Sequence, residues 1–419
     1  MTHTKKGRTG NRPCGPSRCP RLTAMSGRDP LCSPRRVRRG AALTLVFAGV
    51  LGAGAATGAF PGPGAPQRRA VAAPVDPAGR PEAVREAAAA AMAAGKSPTE
   101  AAERAVSRSG DRWAAVYSEG EYEEFQDALD GRYTGVGLWA RQEPDGRIEV
   151  TRVRPGSPAA DAGIRAGDRL RSVDGHRTDG RPVTEVIALL RGDARGDGTA
   201  GAAAGTTVTL GLERGTRAWT RTLRRARLST DPVTVRRLPG AVTAVKVSAF
   251  TKGSADAVRA ALRAAPADGR TILDLRGNSG GLVTEAVATA SAFLDGGLVA
   301  TYDVDGAQRA LHADPGGDTA RPLVVLVDGG TMSAAELLTG ALQDRGRAVV
   351  IGSRTFGKGS VQMPVKLPDG SVAELTVGHY RTPSGHTVDG RGITPDLEAG
   401  PEQALSRART VLTGLGDPS

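Results

Sequence analysis

The sequence predicts an α/β fold with a smaller, β-rich module. Two aliphatic runs, Leu323–Val327 and Ala348–Ile351, flank a segment of good helix formers, Ala334–Gln343, whose apolar residues have helical spacing. A single strand–helix–strand unit implies that its two strands lie parallel in one sheet. Frequent glycine turns over Tyr133–Leu228 indicate the β-rich module.

Ser333 begins the predicted helix, and Lys358 follows the second strand. The simplest interpretation is structural, because Ser333 and Glu336 have the spacing of a helix capping box and a lysine between glycines is usually a solvated loop charge. Both residues, however, would lie past the carboxyl ends of neighbouring strands, where open α/β sheets bind ligands. No histidine and no G-x-S-x-G motif lies near Ser333. If this serine is a nucleophile, a desolvated lysine is therefore the alternative base.

The chain resembles the carboxyl-terminal processing peptidases, which are serine proteases with a PDZ domain and a Ser–Lys pair, over roughly residues 109–400. The segment T-M-S-A-A-E around Ser333 resembles the nucleophile motif, and G-K-G-S-V-Q from Gly357 resembles the lysine motif. The resemblance implies a mixed-sheet α/β protease core of the ClpP/crotonase type, with an inserted PDZ domain and N-terminal helices. It implies Ser333 as nucleophile, Lys358 as general base and Gln362 as the residue that orients the lysine.

The resemblance also implies an oxyanion hole. The predicted strand Thr271–Leu275 ends in a glycine turn that resembles the family's D-L-R-x-N-x-G-G motif. Carried over, the backbone N–H groups of Gly280 and Ala334 would bind the oxyanion, with Gly281 as the neighbouring candidate. Asp344 matches an acidic position implicated in some relatives and is a candidate accessory residue, although an aspartate on a helix surface is more often structural.

The β-rich module resembles a PDZ domain. Its first turn, Gly135-Val136-Gly137-Leu138, resembles a carboxylate-binding loop, and a run from Pro155 to Gly175 resembles the signature of bacterial protease PDZ domains. Glycines allow backbone N–H groups to converge on a terminal carboxylate, while the next strand offers its edge to a peptide. We therefore expect peptide substrates with apolar C-termini. The alternative is a β-rich module without a ligand. The composition of residues 191–205 predicts a flexible surface insertion.

The N-terminal region predicts export. Residues 1–40 carry a net charge of +10, out of +12 for the chain, so the folded body is not expected to bind nucleic acid. The uncharged segment Ala41–Phe60 follows an arginine cluster, as in a secretory signal, and is also long enough for a membrane anchor. In either case the body lies outside the cytoplasm. The last cysteine is Cys32, so the body has neither disulfides nor a cysteine-based metal site, and we expect no cofactor or metal.

We therefore expect seven segments along the chain. They are a basic segment (1–40), a signal peptide or anchor (41–60), a linker (61–80), an N-terminal helical segment (81–131), a PDZ domain (132–228), a Ser–Lys peptidase core (229–400) and a C-terminal helix or tail (401–419). Four aromatic residues of the helical segment are predicted to serve packing: Trp113, Tyr117, Tyr122 and Phe125. An adaptor or a lipoprotein is a candidate partner.

The predicted function is an exported serine endopeptidase that recognises protein C-termini and processes or degrades extracytoplasmic proteins. The main alternative is a non-catalytic PDZ scaffold on a protease-like fold. Ala335, which stands where the more usual S-A-S-E motif has a second serine, favours that alternative, whereas the presence of Ser333, Lys358 and Gln362 disfavours it. An enzyme of related fold, such as an acyl-CoA enzyme, is disfavoured by the PDZ module and by the Ser–Lys spacing.

Overall fold

A computed structural model describes residues 80–192, 202–304 and 307–415. The basic segment 1–40, the predicted signal or anchor 41–60 and nearly all of the linker 61–80 lie outside the described residues, as does most of the predicted insertion 191–205. Within the described ranges, no helix combines the length and the apolar character that a membrane span requires.

The N-terminal segment is helical, as predicted. It consists of α1 (Arg80–Ala93), α2 (Pro98–Ser109), β1 (Ala115–Tyr117) and α3 (Glu119–Leu129). The break between the first two helices is set locally, because the Ser97 hydroxyl accepts a hydrogen bond from the Glu100 N–H at 3.2 Å and Pro98 fits the first turn. Ser118 and Glu121 cap α3 reciprocally.

The β-rich module is a small sheet domain with two helices. Its strands are β2 (Arg132–Gly135), β3 (Leu138–Gln142), β4 (Ile148–Val153), β5 (Arg169–Val173), β6 (His176–Arg177), β7 (Thr207–Arg214), β8 (Arg217–Arg224) and β9 (Ala226–Ser229). Its helices are α4 (Pro158–Asp161) and α5 (Val183–Arg191). The antiparallel sheet has the order β3-β4-β5-β7-β8, so β3 is an edge strand, while β2 and β9 form a separate pair.

The main sheet of the larger domain has the order β10-β11-β12-β15-β16-β19. Its strands are β10 (Val233–Leu238), β11 (Val242–Val247), β12 (Arg270–Asp274), β15 (Leu323–Val327), β16 (Val349–Gly352) and β19 (Leu397–Glu398). All neighbours except β10 and β11 are parallel. Val324 lies opposite Val349, so the predicted strand–helix–strand unit with parallel strands is confirmed.

Helices cover both faces of the main sheet. They are α6 (Ser254–Arg263), α7 (Val283–Ala290), α8 (Ala334–Asp344) and α9 (Pro401–Leu415). Buried side chains of α6, α7 and α8 form the larger core, which includes Phe250, Phe293 and Leu338. The apolar side of α9 packs against the other face through Ala404, Ala408 and Leu412. Because every β15 residue is buried, this strand is apolar throughout its length.

A second, antiparallel sheet joins the N-terminal segment to the core. It contains β1 together with β13 (Leu298–Val304), β14 (Ala307–His312), β17 (Ser360–Lys366) and β18 (Val372–Arg381). β1 pairs with β18, with Ala115 opposite Glu374. α1 and α2 pack on β17 and β18 through an apolar cluster that includes Val84 and Leu375. The β-rich module is therefore inserted between two parts of one larger domain, as the resemblance implied.

Candidate active site

Ser333 lies at the turn between β15 and α8, in a strained backbone conformation. Its φ of 54° and ψ of −120° are unusual for a residue with a side chain. Hydrogen bonds hold the turn: the Met332 N–H donates to the Asn278 carbonyl at 2.8 Å, and the Thr331 hydroxyl donates to the Leu275 carbonyl at 2.9 Å. Ser333 is thus fixed at the carboxyl end of β15, where the sequence predicted it.

Lys358 lies in the loop between β16 and β17 and is partly buried. Burial lowers the pKa of its ammonium group, while the negative charges of Glu374 and Asp111 act in the opposite direction. The Lys358 Nζ lies 5.6 Å from the centroid of the Trp113 ring. The burial of Lys358 thus shifts its pKa in the direction that a general base requires, toward easier loss of the proton.

Glu336 joins the two loops, and sequence reasoning recognised it only as a capping residue. Its side chain is fully buried in the first turn of α8. One carboxylate oxygen accepts hydrogen bonds from the N–H groups of Ser333 at 2.9 Å and Lys358 at 2.8 Å. The other accepts from the Gly357 N–H at 2.7 Å and the Thr355 hydroxyl at 2.5 Å. Burial raises the pKa of Glu336, and these four donors oppose that shift.

Tyr380 holds the same two residues from the other side. Its hydroxyl donates to the carbonyl of Ser333 at 2.9 Å and lies 3.2 Å from that of Lys358. The ring is buried, which places the pKa of the phenol well above its ordinary value. The sequence alone assigns Tyr380 no role, because a strand pattern does not show which loops a side chain will reach.

Trp113 forms a wall beside the lysine, so its expected role as a simple packing residue was incomplete. Its indole Nε1–H donates to Asp389 at 3.0 Å, and its carbonyl accepts from the Gln362 amide at 2.5 Å. Its ring also contacts that of Phe356, with the centroids 5.7 Å apart. The other three aromatic residues of the segment do pack together: Tyr117, Tyr122 and Phe125.

The structure gives Gln362 a different partner from the one expected. The amide nitrogen of Gln362 donates to the Trp113 carbonyl, so it reaches the lysine through Trp113. Its direct orientation of Lys358 stays a prediction. Asp344 lies at the opposite end of α8 from Ser333, about 15 Å along the helix axis. One carboxylate oxygen of Asp344 accepts from the Ser384 N–H at 2.9 Å, which is a structural contact.

The glycine turn after β12 lies directly against Ser333. A Cβ atom placed on Gly280 would lie 2.9 Å from the Ser333 Cβ and 3.3 Å from the Ala334 nitrogen. The Gly280 N–H, however, already donates to the Asn278 side chain at 2.9 Å. Among the hydrogen bonds of the described residues, neither Ala334 nor Gly281 donates its N–H to an acceptor. The pair with free donors is thus Ala334 and Gly281, whereas Gly280 supplies the close approach.

The predicted carboxylate-binding loop, Gly135 to Leu138, lines a groove of about 250 Å³. Gly137 has a φ of 81°, and a Cβ there would lie 2.3 Å from the Ser157 Cβ, so the turn requires glycine. The apolar residues Ile187 and Leu190 of α5 form the opposite wall. The edge strand β3 lines the same groove through Leu138, Trp139 and Ala140, which is the arrangement needed to add a peptide strand.

Comparisons with known proteins find relatives for both parts of the chain. Residues 241–399 match peptidase family S41, and residues 149–197 match the PDZ domain family. Carboxyl-terminal-processing peptidase 3, chloroplastic, of Arabidopsis thaliana is 35% identical over 309 residues, which cover 69% of this chain and 58% of that protein. Carboxyl-terminal-processing protease of Synechocystis sp. is 35% identical over 286 residues, covering 66% of this chain and 65% of that protein.

A solved structure, the photosystem II D1 C-terminal processing protease, is 29% identical and covers 76% of this chain and 86% of its own, with a TM-score of 0.46. The matched part of this chain spans about 60% of the length of the curated relatives. The expected fold class of mixed α/β sheets with a PDZ domain and N-terminal helices is confirmed. The expected family is confirmed as well: the chain carries a PDZ domain and belongs to peptidase family S41, with the carboxyl-terminal processing peptidases.

Proposed function

We propose that the chain is a serine endopeptidase in which Ser333 is the nucleophile and Lys358 the general base. The observation that carries this proposal is the shared carboxylate of Glu336, which accepts hydrogen bonds from the backbone of both residues. Two loops from the ends of neighbouring parallel strands are thereby held against each other. A purely structural cap would need only the first of these contacts.

In the proposed reaction, the Ser333 hydroxyl attacks the scissile carbonyl and gives its proton to the neutral Lys358 amine. The oxyanion of the tetrahedral intermediate accepts hydrogen bonds from the N–H groups of Ala334 and Gly281, while Gly280 allows the glycine turn to lie against Ser333. The N-terminal end of α8 also favours this negative charge. When the intermediate collapses, the Lys358 ammonium returns the proton to the leaving amine, which leaves an acyl-serine.

Water then attacks the acyl-serine, with Lys358 again as the base, and the Ser333 hydroxyl is restored. Trp113 limits the access of water to the lysine from one side and so helps to keep the amine neutral. The side-chain amide of Gln362 holds Trp113 in place by donating a hydrogen bond to the Trp113 carbonyl. We assign Gln362 a positioning role, and we assign Asp344 no part in the reaction.

The PDZ groove binds the C-terminus of the substrate in this proposal. The Gly135–Leu138 loop receives the terminal carboxylate, and the apolar wall at Ile187 and Leu190 receives the last side chain. When the C-terminus of a substrate is bound in the groove, a more N-terminal segment of the same substrate would reach Ser333. The enzyme would therefore act on proteins with exposed apolar C-termini, in processing or in degradation.

We further propose that the body acts outside the cytoplasm. This rests on the arginine-rich segment and the uncharged run Ala41–Phe60. Fractionation of cells that produce the full chain tests the location, and the mass of the mature N-terminus distinguishes a cleaved signal from a retained anchor.

The test of the catalytic proposal uses the full chain in mild detergent with unfolded test proteins that differ only in their last three residues. The wild type, Ser333→Ala and Lys358→Ala are compared, and circular dichroism checks that all three fold. We expect cleavage by the wild type alone, faster for apolar C-termini. Equal cleavage by Lys358→Ala would refute the general-base role. Binding of apolar ends without cleavage by any of the three would favour the non-catalytic scaffold.

A further inference from the structure

The peptide groove is not formed by the PDZ domain alone. Beside the loop and α5, its lining includes Thr234 of β10, Lys246 of β11 and Ser248, which belong to the main sheet of the protease core. A peptide in this groove would thus contact both domains. Its specificity depends on side chains that a PDZ domain by itself does not provide.

The lining carries an excess of positive charge. Its cations are Arg152, Arg191 and Lys246, and its carboxylate is Asp231. Asp231 already pairs with Arg154 at 3.2 Å. Arg152 forms no ion pair with a carboxylate of the described residues, and the negative charge that acts on Arg191 comes from Glu124, which is not part of the groove lining. A terminal carboxylate would neutralise one of three positive charges, which leaves the groove suited to a second negative group.

Arg191 lies close to the carboxylate-binding loop. It is the last residue of α5, which contacts β2, and its charge influences Tyr133 at the start of that loop. Burial lowers the pKa of its guanidinium, so the group is partly desolvated. A partly desolvated guanidinium beside converging N–H groups is suited to the terminal carboxylate.

Arg152 lies on a different face of the groove. It is opposite Trp139 in the pairing of β3 with β4, and its guanidinium carbon is 3.6 Å from the centroid of the Trp139 ring. This stacking fixes the guanidinium in one place. Side chains of an added peptide strand alternate between two faces. If the last side chain enters the apolar pocket of α5, the next-to-last side chain points to the face that carries Trp139 and Arg152.

Lys246 offers a second cation from the core. Its Nζ donates to the Arg276 carbonyl at 2.9 Å and lies 3.9 Å from Asp274, whose carboxylate is already paired with the Arg276 guanidinium at 2.7 Å. The Lys246 side chain is 46% exposed, so its remaining N–H donors are accessible to a ligand.

We propose that the groove selects chain ends in which an acidic residue directly precedes an apolar last residue. Arg152 and Lys246 recognise the acidic side chain, and Arg191 recognises the terminal carboxylate. This inference rests on the proposed function, since it assumes that the groove binds a substrate's C-terminus. Because one cation is stacked and the other is held by a carbonyl, we expect about tenfold tighter binding for an acidic than for a basic next-to-last residue at low salt.

The test measures fluorescence anisotropy of labelled decapeptides bound to the full chain carrying Ser333→Ala, which prevents cleavage. The peptides end in Ala-Ala-Val, Ala-Glu-Val, Glu-Ala-Val or Ala-Lys-Val, and a fifth peptide is the amide of Ala-Glu-Val. We expect Ala-Glu-Val to bind most tightly, Ala-Lys-Val to bind about tenfold more weakly, and the amide to lose most of its affinity. Added salt should reduce the difference between Ala-Glu-Val and Ala-Lys-Val more than it reduces the affinity for Ala-Ala-Val.

Variants of the groove residues show which side chains cause the preference for an acidic next-to-last residue. Arg152→Gln and Lys246→Gln should each reduce the preference for Glu over Lys, and Lys246→Glu should reverse it while Ala-Ala-Val still binds. Arg221→Gln is the matched control, because Arg221 is exposed on β8, at the opposite edge of the sheet from β3. The peptide series on the unaltered groove decides the question even if one variant fails to fold.

The outcomes separate this inference from the proposed function. Equal binding of all free apolar ends, whatever the next-to-last residue, would overturn the acidic preference and leave the groove as a reader of C-termini. A preference for Glu at the third residue from the end would overturn the placement at Arg152. Failure of every peptide to bind, or equal binding of the amide, would overturn both.

Discussion

Replacing Glu336 with glutamine keeps the shape of the side chain but turns one of its two oxygens into a donor. Each oxygen now accepts two hydrogen bonds, so whichever way the amide lies, two donors lose their acceptor inside the protein. A buried donor without a partner costs about 1–3 kcal/mol, or about 2–6 kcal/mol for two. Either the Ser333 and Lys358 pair or the Thr355 and Gly357 pair must then move.

We expect Glu336→Gln to lower kcat/KM by at least about 100-fold, which corresponds to about 2.7 kcal/mol of transition-state stabilisation. The assay is cleavage of the unfolded test protein with an apolar C-terminus, together with the free energy of unfolding from a urea titration. The matched control is Glu285→Gln. The Glu285 carboxylate accepts hydrogen bonds from the N–H groups of Gly253 and Ala255, both at 2.9 Å, at the start of α6.

Glu285→Gln should also lower the stability, but by less, because its contact with the Gly253 N–H is exposed to water. It should leave kcat/KM of the folded protein within about twofold of the wild type. A Glu336→Gln rate within about threefold of the wild type would refute the role of this carboxylate in the site. Loss of activity in proportion to loss of stability in both variants would refute it equally, because Glu336 would then act only on folding.

Three further predictions concern other parts of the site. Burial holds the pKa of Lys358 below its ordinary 10.5, while the negative charge of Glu374 opposes this shift. We therefore expect kcat/KM to rise with pH to a plateau as the amine loses its proton, and Glu374→Gln to move that rise to lower pH. An unchanged profile or a shift to higher pH would contradict the assignment, and Glu402→Gln, at an exposed position, is the control. Gly280→Ala should lower kcat/KM at least about 100-fold, because the added Cβ would displace Ser333. Gly277→Ala, whose added Cβ meets nothing within 4 Å, should preserve most of the rate. Equal rates for the two variants would refute the idea that the short distance between Gly280 and Ser333 matters for catalysis. Asp344→Ala should cost about 1 kcal/mol of stability through the lost Ser384 contact and change kcat/KM by less than twofold, so a large loss of rate in the folded variant would restore its accessory role.

The parts of the fold that the sequence predicts well are local. The strand, turn and helix around Ser333 follow from apolar spacing within about 30 residues, and the second strand fixes the position of Lys358. The split of α1 from α2 likewise follows from Ser97 and Pro98. In each of these cases, the residues that determine the structure are neighbours in the chain.

The parts that sequence analysis missed depend on contacts between distant segments. Tyr380 and Trp113 reach the site because β18 pairs with β1, and no local pattern predicts that pairing. The role of Glu336 was only half visible: its capping distance from Ser333 is local, whereas its contacts with Thr355, Gly357 and Lys358 are not. A carboxylate within an otherwise apolar helix, as in A-A-E-L-L, was the available signal.

The pairing of β1 with β18 has a consequence for the order in which the enzyme becomes competent. The wall beside Lys358 comes from a segment made before the PDZ domain, while the strand that holds it is among the last to be synthesised. Closing so long a loop is an unfavourable step that only the finished chain can complete. A nascent polypeptide therefore lacks the assembled surroundings of Lys358, and under the proposed function this connectivity would delay proteolysis until synthesis of the protease domain has ended.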